Sequence, residues 1–243
     1  MNSRYIINAD DFGLSDNVNE GIDFCFKQNI ISSATMLANG ICFENAVDLA
    51  KKGGYIEKIG LHFNIIEGKA LSDEMRNCKT FCNERGDFIY KRNSIRFFSK
   101  KEILALKSEV EAQVKKCLCN GIPISHIDSH THVHTEFLIM LAIKPVLKKY
   151  GIKKVRKARK IIGGCLIREL YKSFFNYMLK CFGFKTTDVF YGYNDYEYFR
   201  KFYNYETVEM YVHPTLIGGV LLDHVLNVEI IKQNIKHISY KDL

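Results

Sequence analysis

Short, nearly continuous apolar runs alternate along this chain with longer stretches whose apolar residues recur at helical spacing. "YIINA" (5–9) reads as a first strand, and 17–28, where Val18, Ile22, Phe24, Cys25 and Phe26 are apolar, reads as a helix capped by Ser15 or Asp16. "ISSATMLAN" (31–39) follows as a strand, "ENAVDLAKKGG" (44–54) as a helix ending at glycine, and "KIGLHFNI" (58–65) as a strand. Residues 68–98 break the rhythm with the polar stretch "CNERGDFIYKRNS", read as a loop or short hairpin over one end of a sheet.

A long helix is predicted from Lys100 to Cys119, then a strand in "GIPISHIDS" (121–129) and a helix in "TEFLIMLAIKPVLKKYG" (135–151), kinked or ended near Pro145. "KKVRKAR" (153–159) is a further strand, and 161–184 is helical and apolar. Residues 188–206 are rich in Tyr and Phe without a clear period, "TVEMYVHP" (207–214) is a late strand, and "VLNVEIIKQNI" (225–235) a last helix before "HISYKDL". Strands alternating with helices predict an α/β fold, a mainly parallel sheet or barrel with crossover helices. No internal repeat or linker divides the 243 residues, so a single domain over 1–243 is expected.

Composition removes several function classes. With 47% hydrophobic and 13% aromatic residues the chain is an ordinary globular one, not a disordered one. The net charge of +8 would suit a nucleic-acid partner. Its densest basic run, Lys153, Lys154, Arg156, Lys157, Arg159 and Lys160, has no helix-turn-helix, zinc-finger or RNA-binding signature beside it. That run reads as a solvated strand end or loop, and no nucleic-acid partner is expected.

The eight cysteines are scattered, and the close pairs Cys78 with Cys82 and Cys117 with Cys119 lack structural zinc spacing. They read as reduced thiols. The first apolar run meets charge at Asp10, too soon for a signal peptide, and "FLIMLAIKPVL" is interrupted by Lys144 and Pro145, short of the ~20 residues of a membrane span. A cytoplasmic protein with no membrane span is expected, with room left for a homo-oligomer.

Polar groups gather where the predicted strands end: Asp10 and Asp11, His62, the run "HIDSHTHVH" (126–134), and His213. In parallel α/β folds that end of the sheet carries the active site. His126, Asp128, His130, His132 and His134 would all share one face of a continuous strand, too polar to bury, so the strand is expected to end near Ser129 and turn. Two histidines with one carboxylate can hold a divalent metal and leave positions open for water and substrate. Two adjacent acids at a strand terminus can then divide the work, one binding metal and the other accepting a proton. Pro214 holds His213 in extended geometry and fixes where its imidazole points.

The segments "NADDFGLS" (8–15), "GLHFNIIEGKAL" (60–71), "HIDSHTHVH" (126–134), "EMYVHP" (209–214) and the closing "ISYKDL" resemble, in order and spacing, the YdjC-like carbohydrate deacetylases of the ChbG/HpnK type. The resemblance implies a distorted, TIM-like (β/α) barrel related to polysaccharide deacetylases. It implies Asp11, His62 and His130 as ligands of a divalent metal, magnesium or zinc, with Asp10 as general base and His213 as general acid. Arg159 would orient Asp10 or the substrate, and His126, Asp128, His132 and His134 would support the site or rim it, Asp128 by fixing the tautomer of a ligand histidine. The implied reaction is hydrolysis of an N-acetyl group on a sugar, releasing acetate. Another metal hydrolase on a similar barrel, such as a phosphoesterase, and a non-catalytic glycan-binding protein are the alternatives. The Tyr-rich segment within 188–206 would face substrate, core or a subunit contact.

Overall fold

The computed structural model describes residues 3–94, 97–159, 163, 165–192, 195, 198, 201, 205–223, 228–229 and 237–243. Strand β1 (Arg4–Phe12) leads into helix α1 (Asp16–Lys27), whose first turn is capped by the Ser15 hydroxyl accepting from the Val18 amide. β2 (Ser33–Met36), α2 (Phe43–Gly53) and β3 (Ile59–Phe63) follow. The short helix α3 (Asp73–Arg76) precedes α4 (Lys100–Cys119), which starts at a capping box made by Ser99 and Glu102. β4 (Ile127–Ser129), α5 (Phe137–Lys149), α6 (Leu166–Cys181), β5 (Val189–Gly192) and β6 (Thr207–Val212) complete the main layers. Three further strands, β7 (Pro214–Ile217), β8 (Val220–Asp223) and β9 (Val228–Glu229), form a small antiparallel sheet.

The six main strands are parallel, in the order β4, β3, β2, β1, β6, β5. Residues 153–156 join the two edges of this sheet. The Arg156 amide donates to the Ile127 carbonyl at 3.0 Å, and the Val155 amide donates to the carbonyl of Lys185, just before β5, also at 3.0 Å. The sheet therefore curls into a distorted barrel. "KKVRKAR", read as a strand, enters it only through these isolated bridges. Parallel strands are covered on both faces, which explains why they appear in sequence as continuous apolar runs rather than alternating ones.

Of the two expectations at Pro145, a kink or an end, the end is excluded, since α5 runs on to Lys149. Two other expectations are corrected. Val228 and Glu229 pair with β8 and are not helical, while the rest of 225–235 lies outside the described residues, as do parts of the Tyr-rich segment. The basic run is not a solvated face throughout, because Arg156 is fully buried and Lys157, also buried, donates to the Asp188 carbonyl at 2.8 Å. All eight cysteines are free thiols. Among the described residues no helix is long and apolar enough to cross a membrane.

The start of the 68–98 excursion is packed rather than loose. Glu109, buried on α4, accepts from the Leu71 amide at 3.0 Å, the Ser72 amide at 2.8 Å and the Ser72 hydroxyl at 3.0 Å. Gln113, one turn on, bonds both the amide and the carbonyl of Asn64. Together they hold the start of this segment against the C-terminal end of β3.

Candidate active site

β1 carries Asp10 and Asp11 into one cavity because its last turn is irregular. The register with β2 shifts between Ala9 and Phe12, and Asp11 takes φ +68, a left-handed conformation rare outside glycine. On a regular strand the two side chains would point to opposite faces. The bulge turns both inward. Thr131 and His132, at φ +49 and +58, place a second strained turn directly after β4, in the short 3-10 segment that carries His130. Backbone strain thus concentrates where polar side chains converge.

Asp11, His62 and His130 meet there, with ligand atoms all within 4.8 Å of one another. Asp11 Oδ1 lies 3.1 Å from His62 Nε2 and 2.8 Å from His130 Nδ1. The other ring nitrogen of His62 lies 2.7 Å from Asp128 Oδ1, its cross-strand neighbour, and 3.0 Å from the Thr35 hydroxyl. That contact turns Nε2 toward Asp11. His130 Nε2 faces Glu67 at 3.2 Å, on the rim.

The Asp10 carboxylate is held from behind. Arg156 donates to both of its oxygens at 2.7 Å, and Asn8 Nδ2 donates to Oδ1 at 2.9 Å. Arg156 also pairs with Asp128 at 2.6 Å and, through Nε, with Glu209 at 2.6 Å. Burial raises the Asp10 carboxyl, but the charge and hydrogen bonds of Arg156 outweigh it and leave the group well below the usual carboxylate range. Asp11 is likewise raised by burial and brought far lower by His130 and His62.

Three buried carboxylates, Asp10, Asp128 and Glu209, thus share the buried guanidinium of Arg156, while Asp11, also buried, is met by His62 and His130 instead. The imbalance calls for further positive charge at Asp11. Burial alone would lower the His62 imidazole, yet Asp128 and Asp11 on either side raise it to about 10. The oxygen and nitrogen donors of Asp11, His62 and His130 suit a divalent cation at the position where the protein otherwise concentrates protons. The second close set, Asp10, His62 and Asp128, suits one less well, since two of its members already neutralise Arg156.

The remaining polar residues divide by position. His213 follows β6, its amide donating to Asp223 at 3.0 Å, with its ring edge-on to Tyr211 at 5.2 Å between centroids. His132 packs edge-on against Tyr211 and Phe190, both at 5.7 Å. His134 is fully buried, 2.5 Å from the Ser129 hydroxyl and 3.1 Å from the Arg156 carbonyl, so it braces the backbone of Arg156 and does not reach the rim. Arg159 does not touch Asp10. It bonds the Tyr211 hydroxyl and, at 3.1 Å, Asp195, while Arg156 takes the role of orienting Asp10. Asn8, Thr35, Glu67, Arg156 and Glu209 went unmarked in the sequence as site residues. Asn8 and Glu209 did carry a signal, each being a polar residue inside a largely apolar run.

The sequence profile of the YdjC-like protein family matches residues 4–230. A carbohydrate deacetylase from Halalkalibacterium halodurans is 31% identical over 93% of this chain and 91% of its own length. Carbohydrate deacetylases from Clostridium beijerinckii and Geobacillus stearothermophilus are each 34% identical, over 61% and 64% of this chain; those matches span 58% and 62% of the relatives, less than two thirds of their length. A crystal structure of a candidate cellobiose-phosphate cleavage protein from Enterococcus faecalis superposes with a TM-score of 0.73, 24% identity and coverage of 100% of this chain and 99% of the other. At that identity the likeness speaks for the fold, a distorted TIM-like barrel.

Proposed function

This chain belongs to the YdjC-like protein family, and on that premise we propose that it acts as one domain to hydrolyse the N-acetyl group of an acetylated amino sugar or oligosaccharide, releasing acetate. The observation that carries the reading is the pairing of two kinds of acid. Asp11 stands with His62 and His130 as a metal-ligand set, while Asp10, one residue earlier, is held apart from it by Arg156. A binding module has no use for a ligand set with a separate, preoriented carboxylate beside it.

Asp11, His62 and His130 would hold a divalent ion, magnesium or zinc. When bound, such an ion supplies Lewis acidity toward water and an acyl carbonyl. Asp10, ionised throughout the physiological range, accepts the proton of the water that attacks the acetyl carbon. Arg156 and Asn8 together occupy Oδ1 twice and Oδ2 once, which keeps the carboxylate from rotating and leaves Oδ2 with lone-pair capacity for that proton. His213 donates a proton to the departing amine nitrogen, which is too basic to leave as an anion. Asp128 holds the ring of His62 in orientation. Tyr211 and His132 form an aromatic wall beside these groups, and Arg159 extends it over the Tyr211 ring at 5.1 Å.

The test is acetate release from a panel of N-acetylated mono- and oligosaccharides, using metal-stripped protein with magnesium, zinc and other divalent ions restored singly. Acetate release that depends on an added ion supports the reading. Phosphate release from model esters without acetate release would replace it with a phosphoesterase.

A further inference from the structure

Residues 238–240 pack into the barrel beside β1. The Ile238 amide donates to the Tyr5 carbonyl at 2.8 Å, laying the tail beside the start of β1. Tyr240 then enters the barrel and is fully buried. Its ring stacks on that of His126, with centroids 3.6 Å apart and planes 10° from parallel, and its carbonyl accepts from Lys154. Its hydroxyl donates to Glu209 Oε2.

From Glu209 the contacts continue without a gap to the reacting end. Glu209 Oε1 accepts from Arg156 Nε at 2.6 Å, and both terminal nitrogens of Arg156 donate to Asp10 at 2.7 Å. A guanidinium is planar and rigid, so pinning Nε pins the fork that grips Asp10. Each of Tyr240, Glu209, Arg156 and Asp10 is at most 2% exposed, so water offers little replacement for any lost contact.

We propose that Tyr240 is a positioning residue for the reaction: its hydroxyl, acting through Glu209 and Arg156, fixes the carboxylate of Asp10. This rests on the reading of Asp10 as general base. Packing alone explains the ring on His126, but it does not call for a hydroxyl aimed at Glu209. Burial pushes the Glu209 carboxyl up to about 7 even with Arg156 and the Tyr240 hydroxyl opposing it. Without that hydroxyl Glu209 is driven further toward its neutral form, a poorer acceptor for Arg156 Nε.

Tyr240→Phe keeps the ring and removes one oxygen. In full-length, metal-loaded protein, kcat for acetate release should fall about tenfold with KM within about twofold of wild type, since the lost interaction serves the reacting state and not substrate binding. Metal stoichiometry should not change. Glu209→Gln, which breaks the same link one step nearer Asp10, should show the same split, and it decides the matter if Tyr240→Phe does not fold. Wild-type kcat per metal-loaded site, with only a lowered melting temperature, would make Tyr240 a packing residue and overturn the proposal. Asp10→Asn separates the two levels: wild-type turnover in that variant removes the base assignment itself, whereas its loss beside an unchanged Tyr240→Phe removes only the role of Tyr240.

Discussion

Arg156 donates through Nη1 and Nη2 to the two oxygens of Asp10, each at 2.7 Å, across 146 residues of sequence. No other described residue neutralises that carboxylate so directly, and the same guanidinium also serves Asp128 and Glu209. Arg156→Met leaves three buried carboxylates without their cation and should cost ~3–5 kcal/mol in chemical denaturation. Arg156→Lys restores a charge but not the fork, so it should recover much of that stability while kcat stays at least about tenfold down. Equal turnover in the lysine variant would mean that charge, not geometry, is what Asp10 requires.

His213 sits where β6 ends, in contact with the aromatic wall. The role proposed for it, proton donor to the leaving amine, predicts that His213→Ala lowers kcat by about a hundredfold with little change in KM. Steady-state kinetics decide this. A change confined to KM would make His213 a binding residue.

Removal of the metal should expose a pH dependence set by His62. Without a metal, burial lowers its imidazole but Asp128 and Asp11 on either side push it up to about 10, against an ordinary value of 6.5. A folded-state value raised in this way stabilises fully below about 6.5, and the stabilisation is lost as pH rises toward 10. Metal-loaded protein requires His62 neutral and should lack this decline. Urea denaturation midpoints with and without chelator, from pH 6.5 to 10, should converge on the acid side and separate on the alkaline side. Parallel curves would contradict the placement of His62 at the metal.

Gly60, in the "GLH" segment, is a glycine for a reason found across the sheet. A Cβ there would lie 2.5 Å from the His126 ring and 2.7 Å from the His126 carbonyl oxygen. Gly60→Ala should therefore displace His126 and its stack with Tyr240, at ~1–3 kcal/mol of stability. Undiminished stability in thermal or urea unfolding would show that the ring can move aside freely.

Much of this site was legible in the chain before folding. α4 runs from Lys100 to Cys119 as read, because its capping box and apolar spacing are local properties. Asp10, Asp11, His62, His130 and His213 stood out because acids and imidazoles end apolar strands, and the YdjC-like segments marked the same positions. Arg156 did not stand out. It lies in a basic run, and nothing local distinguishes the side chains that turn inward, Arg156 and Lys157, from those that do not. Its partners Asp10, Asp128 and Glu209 come from three other segments, and only strand order and register bring them together. Thr35 was hidden for the same reason: a strand buried on both faces, with Ser33 also in it, does not show which face is the polar interior. The two-bridge closure at 153–156 depends on the curl of the whole sheet, which no window of sequence contains.

The central claim is that adjacent acids divide the labour, Asp11 holding the metal and Asp10 serving as base. The direct measurement is metal content and acetate release in Asp10→Asn and His130→Ala, assayed side by side with wild type. Asp10→Asn should keep a full complement of metal and lose at least about a hundredfold in kcat, while His130→Ala should lose metal and activity together. Wild-type acetate release by metal-loaded Asp10→Asn would contradict the account.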